Sequence, residues 1–580
     1  MTTDETAAAV PAAGLSDQPQ RRAPSPDLLA RRAGRALDPV SAVRFRDQRL
    51  QTTVYAGSQL LIRPTAHEDD IVAKLTTAAD SLDLDIVVND VDERLRAMAR
   101  DAGIGPEDPQ PLVLRVDLHP RWGEGPVSPP DAWPVLQAFR ALYPPDRPER
   151  SAVQLDHVIT SQSGPDTNGN PYWRVPGTTG NPYWRVPGST GNPYWRVPGD
   201  LGEYATPGFG GRTPVSWVGA GPVRCPDEWM GRRRRPVVAL LDTGVGAHPW
   251  LPDTIIDRHP RCGALSIGLT DPTTAPDDPA VVMNTLIGGL DATSGHGTFI
   301  AGLIRQKCPD ANILAIRVIQ GDGVVDEGDL LEALNMLWLR QKLAIINRRS
   351  DELIDLVSMS LGYYHEELND AAFDPFLLAP LRALAQLGVA VITSAGNDAT
   401  TRPMYPAAFA PYPGGLIPNP ERDELPVVSV GAKNPDGSIA LFSNEGPWVR
   451  AHRPGASLVS TLPAFDASSS PSLEVVKRIG QVRATIDPDD FTSGFGLWSG
   501  TSFAAPILVG EVAEFLNSQH LLDAREQDPR TAVDRGWKAL SFAVPGLDRP
   551  GRPASTAPTT TTPATPTPAR ATAASTGTRP

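Results

Sequence analysis

The chain has 580 residues, 40% of them hydrophobic, with 53 basic against 67 acidic side chains and a net charge of −14. That is apolar content enough for a large core and length enough for two domains with connecting segments. The acidic balance argues against nucleic-acid or anionic-membrane binding, and no apolar run reaches the roughly 18 residues that would predict a membrane span.

Residues 1–49 are rich in Ala, Pro, Arg and Asp and are expected to be disordered; they lack the basic start and apolar stretch of a secretory leader. The three cysteines, Cys225, Cys262 and Cys308, are too few for a disulfide framework. Cys225 and Cys262 could pair in an oxidising compartment, but reduced thiols are the simpler reading, so a cytoplasmic location is expected.

Over residues 50–160 the pattern becomes regular. It predicts a strand over 54–62 and a helix over 68–82 with Ile71, Val72, Leu75 and Leu82 on one side. Strands over 84–88 and 112–118, a helix over 132–143 and a strand over 153–159 follow. The order βαββαβ predicts a small α+β domain of ferredoxin-like type.

Residues 161–231 read as a Pro/Gly-rich linker. Within it Gly-Asn-Pro-Tyr-Trp-Arg-Val-Pro-Gly occurs at 169–177, 180–188 and 191–199, a period of eleven. Asn-Pro and Pro-Gly predict turns between extended Tyr-Trp-Arg-Val segments. Tyr, Trp and Arg are frequent interface anchors, so the repeats are either a multivalent site for a protein partner or a duplicated linker without one. The run Arg232–Arg235 that follows is expected to be a solvated boundary, with a processing site or an anionic contact as alternatives.

Three short stretches beyond it carry chemistry. Residues 236–241 (Pro-Val-Val-Ala-Leu-Leu) read as a buried parallel strand that ends at Asp242-Thr243-Gly244. His296-Gly297-Thr298 opens one predicted helix and Gly500-Thr501-Ser502 opens another. Carboxylate, imidazole and hydroxyl are the groups nucleophilic acyl transfer needs: the serine is activated by the histidine, and the histidine is oriented by the carboxylate. A fourth stretch, Ser394-Ala395-Gly396-Asn397, follows the strand-like run 390–393, and the Asn397 amide is suited to donate to a tetrahedral oxyanion beside the Ser502 N–H. A stretch over 464–494 precedes the serine, and its middle, 473–482, is expected to be a short helix. Residues 546–580 are Pro- and Thr-rich and are expected to be a disordered tail.

These words in this order resemble the subtilisin-like serine proteases (subtilases): Asp242-Thr243-Gly244-Val245, His248-Pro249-Trp250-Leu251, His296-Gly297-Thr298, Ser358-Met359-Ser360-Leu361-Gly362, Ser394-Ala395-Gly396-Asn397 and Gly500-Thr501-Ser502. The resemblance covers about half the chain and implies a doubly wound, mainly parallel α/β sheet with helices on both faces over residues 232–545. It implies a serine endopeptidase with Asp242, His296 and Ser502 as triad and Asn397 as oxyanion donor. Ser360, Leu361 and Gly362 would form the edge strand that pairs with extended peptide substrate, with Gly323 and Val324 opposite, and Ser394, Ala395 and Gly396 would also bind substrate. No cofactor is implied. Structural calcium is a family option, but the acidic stretches at Asp271, Asp277 and Asp278 and at Asp487, Asp489 and Asp490 are expected to be solvated loops, so no metal residues are assigned.

Two residues depart from the family pattern: Tyr363 stands where a second glycine is usual, and Ile507 where a histidine is usual. The resemblance further implies that residues 50–160 are an inhibitory propeptide, the alternative being an accessory domain. A catalytically spent relative kept for binding is the alternative to the enzyme as a whole.

Overall fold

The computed structural model describes residue 29 and residues 33–42, 50–161 and 212–550, apart from 64–66, 106–110, 122–128, 145–146, 279, 287, 366–374, 416–419, 470, 477–479 and 526. The repeats and residues 551–580 lie outside the described residues; the start of the stretch expected to be a disordered tail is instead packed, with Leu547 in the core and Arg549 donating to the Arg422 carbonyl at 2.9 Å.

In the N-terminal unit, β1 (Gly34–Leu37) and β2 (Thr53–Ile62) precede α1 (Glu68–Asp80), β3 (Leu84–Val88) and α2 (Asp90–Asp101). Then come β4 (Leu114–Pro120), α3 (Ala132–Ala141) and β5 (Val153–Ser161). The strands lie in the order β5-β2-β4-β3, each antiparallel to its neighbour.

Two elements correct the sequence reading. β1 lies in a segment expected to be disordered; it pairs antiparallel with β2 and buries Leu37 in the unit's core. α2 stands between β3 and β4, where no helix was expected. Its cap is Asn89, whose side chain accepts the Val91 N–H at 2.9 Å, and its first turn carries Asp90, Asp92 and Glu93.

α2 is also where the unit meets the rest of the chain. Along β2, Leu60 and Ile62 face the unit's own core with Leu75, Trp133 and Phe139. Leu61 instead joins Leu95 and Ala99 of α2 and Ile159 of β5 in a core shared with the second unit.

The second unit begins with β6 (Thr213–Pro214), β7 (Val237–Asp242), β8 (Ile256–Asp257) and the short hairpin of β9 (Arg261–Cys262) and β10 (Leu265–Ser266). α4 (His296–Lys307), β11 (Asn312–Arg317), β12 (Val324–Asp326) and α5 (Glu327–Ile346) follow. β13 (Leu356–Met359), β14 (Leu361–Gly362), α6 (Pro375–Gln386), β15 (Ala390–Ser394) and β16 (Val427–Lys433) come next. The unit closes with β17 (Ala451–Pro454), β18 (Leu458–Thr461), the hairpin β19 (Glu474–Val476) and β20 (Val482–Ala484), β21 (Phe495–Trp498), α7 (Thr501–Ser518) and α8 (Pro529–Ala543).

Seven of these strands form one parallel sheet in the order β8-β11-β7-β13-β15-β16-β17. β7 is buried on both faces, and its residues alternate between them. Val238 and Leu240 pack with Phe299 and Ile304 of α4, Phe503 and Leu508 of α7, and Trp537 of α8. Val237, Ala239 and Leu241 pack with Leu334 and Trp338 of α5 and Leu381 and Leu384 of α6. This is the doubly wound α/β sheet. The chain leaves β7 to one side for β11 and returns to the other for β13, so the carboxyl end of β7 is the switch point where such sheets open a crevice. Asp242 is its last residue.

The stretch over 473–482 is not a helix but the hairpin β19–β20, paired Glu474↔Ala484 through Val476↔Val482. Val475, Val476 and Val482 favour extended backbone, and Gly480, at φ +76°, supplies a left-handed turn residue that a helix interior disfavours.

The arginine run is not a solvated boundary either. Arg234 grips the buried Asp355 carboxylate through two bonds of 2.6 Å, and Arg235 bonds Asp310 at 2.7 Å. Burial works against the Asp355 charge, but Arg234, helped by Arg535, offsets it and holds that pKa below the ordinary carboxylate value. The stabilisation is therefore present at neutral pH and lost as pH falls through the lowered pKa. Arg234→Met is expected to destabilise the fold by about 3 kcal/mol at pH 7, because it strands a buried carboxylate. A urea-denaturation midpoint unchanged from wild type would refute this.

Candidate active site

The sheet and two helix starts bring the sequence-predicted groups together. Asp242 ends β7, and His296 is the first residue of α4. His296 Nδ1 lies 2.7 Å from Asp242 Oδ1, and both side chains are fully buried. The same carboxylate oxygen accepts the Thr243 N–H at 2.8 Å, while the Thr243 hydroxyl oxygen accepts the Gly297 N–H at 2.8 Å. The Asp242-Thr243 turn thus holds both the imidazole and the backbone that carries it. Gly297 permits this approach, since a Cβ there would sit 2.0 Å from the Gly244 carbonyl oxygen. His296 Nε2 is buried without a hydrogen-bond partner among the described residues. The ring rests among Trp498 and Phe503, at 5.6 and 5.3 Å between centroids.

Ser502 is the second residue of α7, where the helix N-terminus favours negative charge. Its carbonyl oxygen accepts the Ser360 hydroxyl at 3.0 Å. Asn397 follows β15, and its side-chain oxygen accepts both the N–H and the hydroxyl of Thr501 at 2.8 and 2.9 Å. That fixes the amide with its oxygen toward α7 and its NH2 on the other side. Gly396 N–H donates to the Thr501 hydroxyl at 3.1 Å, so the 394–397 segment and the start of α7 are tied together. Ser394 closes β15, and Ala395 follows with its N–H on the Val430 carbonyl at 2.9 Å.

The strands expected to hold substrate are occupied by the chain itself. β14, with Leu361 and Gly362, pairs antiparallel with β5 through Leu361↔Ser161 and Gly362↔Thr160. β12 pairs with the other side of β5 through Val324↔Thr160 and Asp326↔Val158, and Gly323 lies in the turn before it. The last strand of the N-terminal unit thus runs between the two strands.

Around it the contacts are polar and buried. His157 Nδ1 meets Glu327 at 2.7 Å, Gln154 donates to the same carboxylate at 3.1 Å, and Asp156 accepts the Gly328 N–H at 2.9 Å in the first turn of α5. Arg115 of β4 pairs with Asp329 at 2.7 Å and with Glu332. Tyr363, the departure from the family pattern, stacks on His157 at 4.8 Å between centroids. Its bulk serves the contact with the N-terminal unit. Ile507 is a buried residue of α7 itself.

Two carboxylates expected in solvated loops are interior. Asp489 is fully buried and accepts the Ser469 hydroxyl at 2.8 Å. Asp277 accepts the N–H and the hydroxyl of Thr298 at 3.0 and 2.5 Å, directly behind the first turn of α4. Sequence reasoning missed it because nothing local distinguishes a buried aspartate from a loop one. Among the described residues no three acidic, His or Cys side chains converge as a metal-ion site.

Burial pushes the Asp277 pKa up to about 6, opposed by its hydrogen bonds and reinforced by the nearby Asp242 charge. A raised carboxyl pKa stabilises the fold fully below the unfolded value and loses that contribution as pH rises toward about 6. Asp277→Asn, which keeps one acceptor, is expected to gain up to about 3 kcal/mol over wild type between pH 4 and 7. Parallel wild-type and variant melting curves across that range would contradict it.

The segment 233–527, just over half of the chain, matches the family model described as the subtilase family. The chain belongs to the subtilase family. This subtilase is 27% identical over 308 residues to serine protease AprX of Bacillus subtilis, an alignment that covers 48% of this chain and 56% of that protein. It is 23% identical to the major intracellular serine protease of the same organism, over 50% of this chain and 72% of that one. Among solved structures, fervidolysin of Fervidobacterium pennivorans aligns over 83% of this chain and 57% of that one, at 17% identity and a TM-score of 0.41. The subtilase thus spans little more than half the length of AprX, the first of these relatives.

Proposed function

We propose that the chain is a serine endopeptidase held latent by its own N-terminal unit. The observation that carries the reading is the linkage of four groups at the switch point: His296 on Asp242, Asn397 on Thr501, and Ser502 at the start of α7. In the proposed reaction Ser502 Oγ attacks the scissile carbonyl while His296 Nε2 takes its proton, and Asp242 fixes the tautomer that leaves Nε2 free to accept it. The Asn397 NH2 and the Ser502 N–H stabilise the oxyanion, and His296 returns its proton to the leaving amine. Extended peptide would bind as β5 does, between β12 and β14.

Latency rests on the same strand. Ile159 of β5 is fully buried in the core shared with the second unit, so the unit is packed as well as hydrogen-bonded over the cleft. Ile159→Arg in the full chain is expected to undock β5 and raise activity on an unstructured protein substrate at least 10-fold, on the order of the cost of burying an unpaired charge. Equal turnover by variant and wild type would remove the latency reading. A cytoplasmic site of action completes the proposal, supported by Cys225, Cys262 and Cys308 being unpaired and by the relative named as intracellular.

The test is intact-mass measurement after fluorophosphonate treatment, with and without Ile159→Arg, beside Ser502→Ala twins. One adduct that the twins lack supports the peptidase. No adduct on either parent would mean a spent fold.

A further inference from the structure

The first described residues after the repeats do not behave as linker. Thr213 and Pro214 form β6, which pairs antiparallel with Leu497 and Gly496 of β21, and Val215 N–H continues to the Phe495 carbonyl at 3.1 Å. Trp217 packs on Trp250 and Phe495, at 5.1 and 5.6 Å between centroids. Cys225 N–H donates to Asp310 at 2.8 Å. Residues 212–217 are thus a strap laid along β21, which ends four residues before the proposed nucleophile, and they lie outside the family-matched segment.

At the head of the strap stands Arg212, fully buried. Its guanidinium donates to the Asp291 carbonyl at 2.8 Å and to the Ser294 carbonyl, and it stacks over Trp498 at 4.9 Å. Those carbonyls belong to the turn that presents His296, whose own N–H closes on Thr293 at 3.0 Å and whose preceding Gly295 adopts φ +78°. Trp498 is also the ring against which His296 rests. One planar cation therefore holds both the turn before the histidine and the wall beside it. Burial lowers its pKa to about 10, which leaves it charged at neutral pH.

We infer that Arg212 is a positioning residue for His296, and that the strap from 212 onward is part of the working site. The inference rests on the peptidase reading above. It carries a constraint: any cut that frees the N-terminal unit must fall before residue 212, within the repeats or beside them, because a cut after it would unseat the histidine turn.

The inference is tested with two variants, Arg212→Lys and Arg212→Met, made in the full chain carrying Ile159→Arg. kcat and KM are measured per active site, counted by fluorophosphonate titration.

Arg212→Lys keeps the charge but loses the fork that spans two carbonyls. It is expected to lose about 10- to 100-fold in kcat with KM unmoved, as for a misplacement of about 1 Å. Arg212→Met, which removes the fork altogether, is expected to lose at least as much in kcat. Wild-type kcat per active site in either variant overturns the inference. A parent chain that takes no adduct overturns the peptidase reading itself, and this inference with it.

Discussion

Ser502→Ala is expected to lower kcat by about a million-fold, the scale established for loss of subtilisin's own nucleophile. The side chain lies in the first turn of α7 and is fully buried, so alanine removes one oxygen without disturbing a helix that alanine favours. Asn397 and the residue-502 N–H remain, so the residual rate should still exceed the uncatalysed one by about 1,000- to 10,000-fold. The measurement is peptide turnover beside a thermal melt, both in the Ile159→Arg chain. A fall of less than about 100-fold, with an intact melt, would mean that Ser502 is not the nucleophile.

Asp242→Asn is expected to cost about 10,000-fold in kcat, by a different route. Asp242 Oδ1 accepts from the Thr243 N–H and lies 2.7 Å from His296 Nδ1. An asparagine oxygen in the same place leaves the NH2 buried at the Oδ2 position, where Asp242 has no hydrogen-bond partner among the described residues. Turned over, the amide presents its NH2 to His296, whose Nδ1 must then accept. That tautomer carries its proton on Nε2 and cannot take one from Ser502. Labelling by fluorophosphonate should slow in parallel with peptide turnover, because both need the same proton transfer. A variant that labels at the wild-type rate would show that Asp242 has only a structural part.

Much of the site was legible in the sequence because its requirements are local. The run ending at Asp242 needed to be apolar throughout, since β7 is covered on both faces, and Gly297 was needed by the close approach of α4 to Gly244. Such needs leave short words. What escaped was set by distant packing. α2 is a charged helix with few apolar residues, and its signal was the Asn89 cap ahead of Val91, Leu95 and Met98. Its reason for existing is the core of the other unit. The hairpin at 474–484 was misread because its apolar residues fit either period, although the valines and Gly480 favoured a turn. Asp277 and Arg234 read as exposed charges and Arg212 as part of a linker, and only Thr298, Asp355 and two backbone carbonyls, all distant in sequence, make them interior.

β5 belongs to two structures at once: it is an edge of the N-terminal sheet beside β2, and it is the strand between β12 and β14. On the latency proposed above, folding of the small unit and closure of the cleft draw on one cooperative equilibrium. Weakening the small core at a site as remote as Leu75 or Phe139 loosens β5, so substitutions that look merely damaging would register as gain of activity. Heat or denaturant too mild to melt the doubly wound sheet would act as an activator. In such a chain the threshold for switching on is set by the stability of its smaller half.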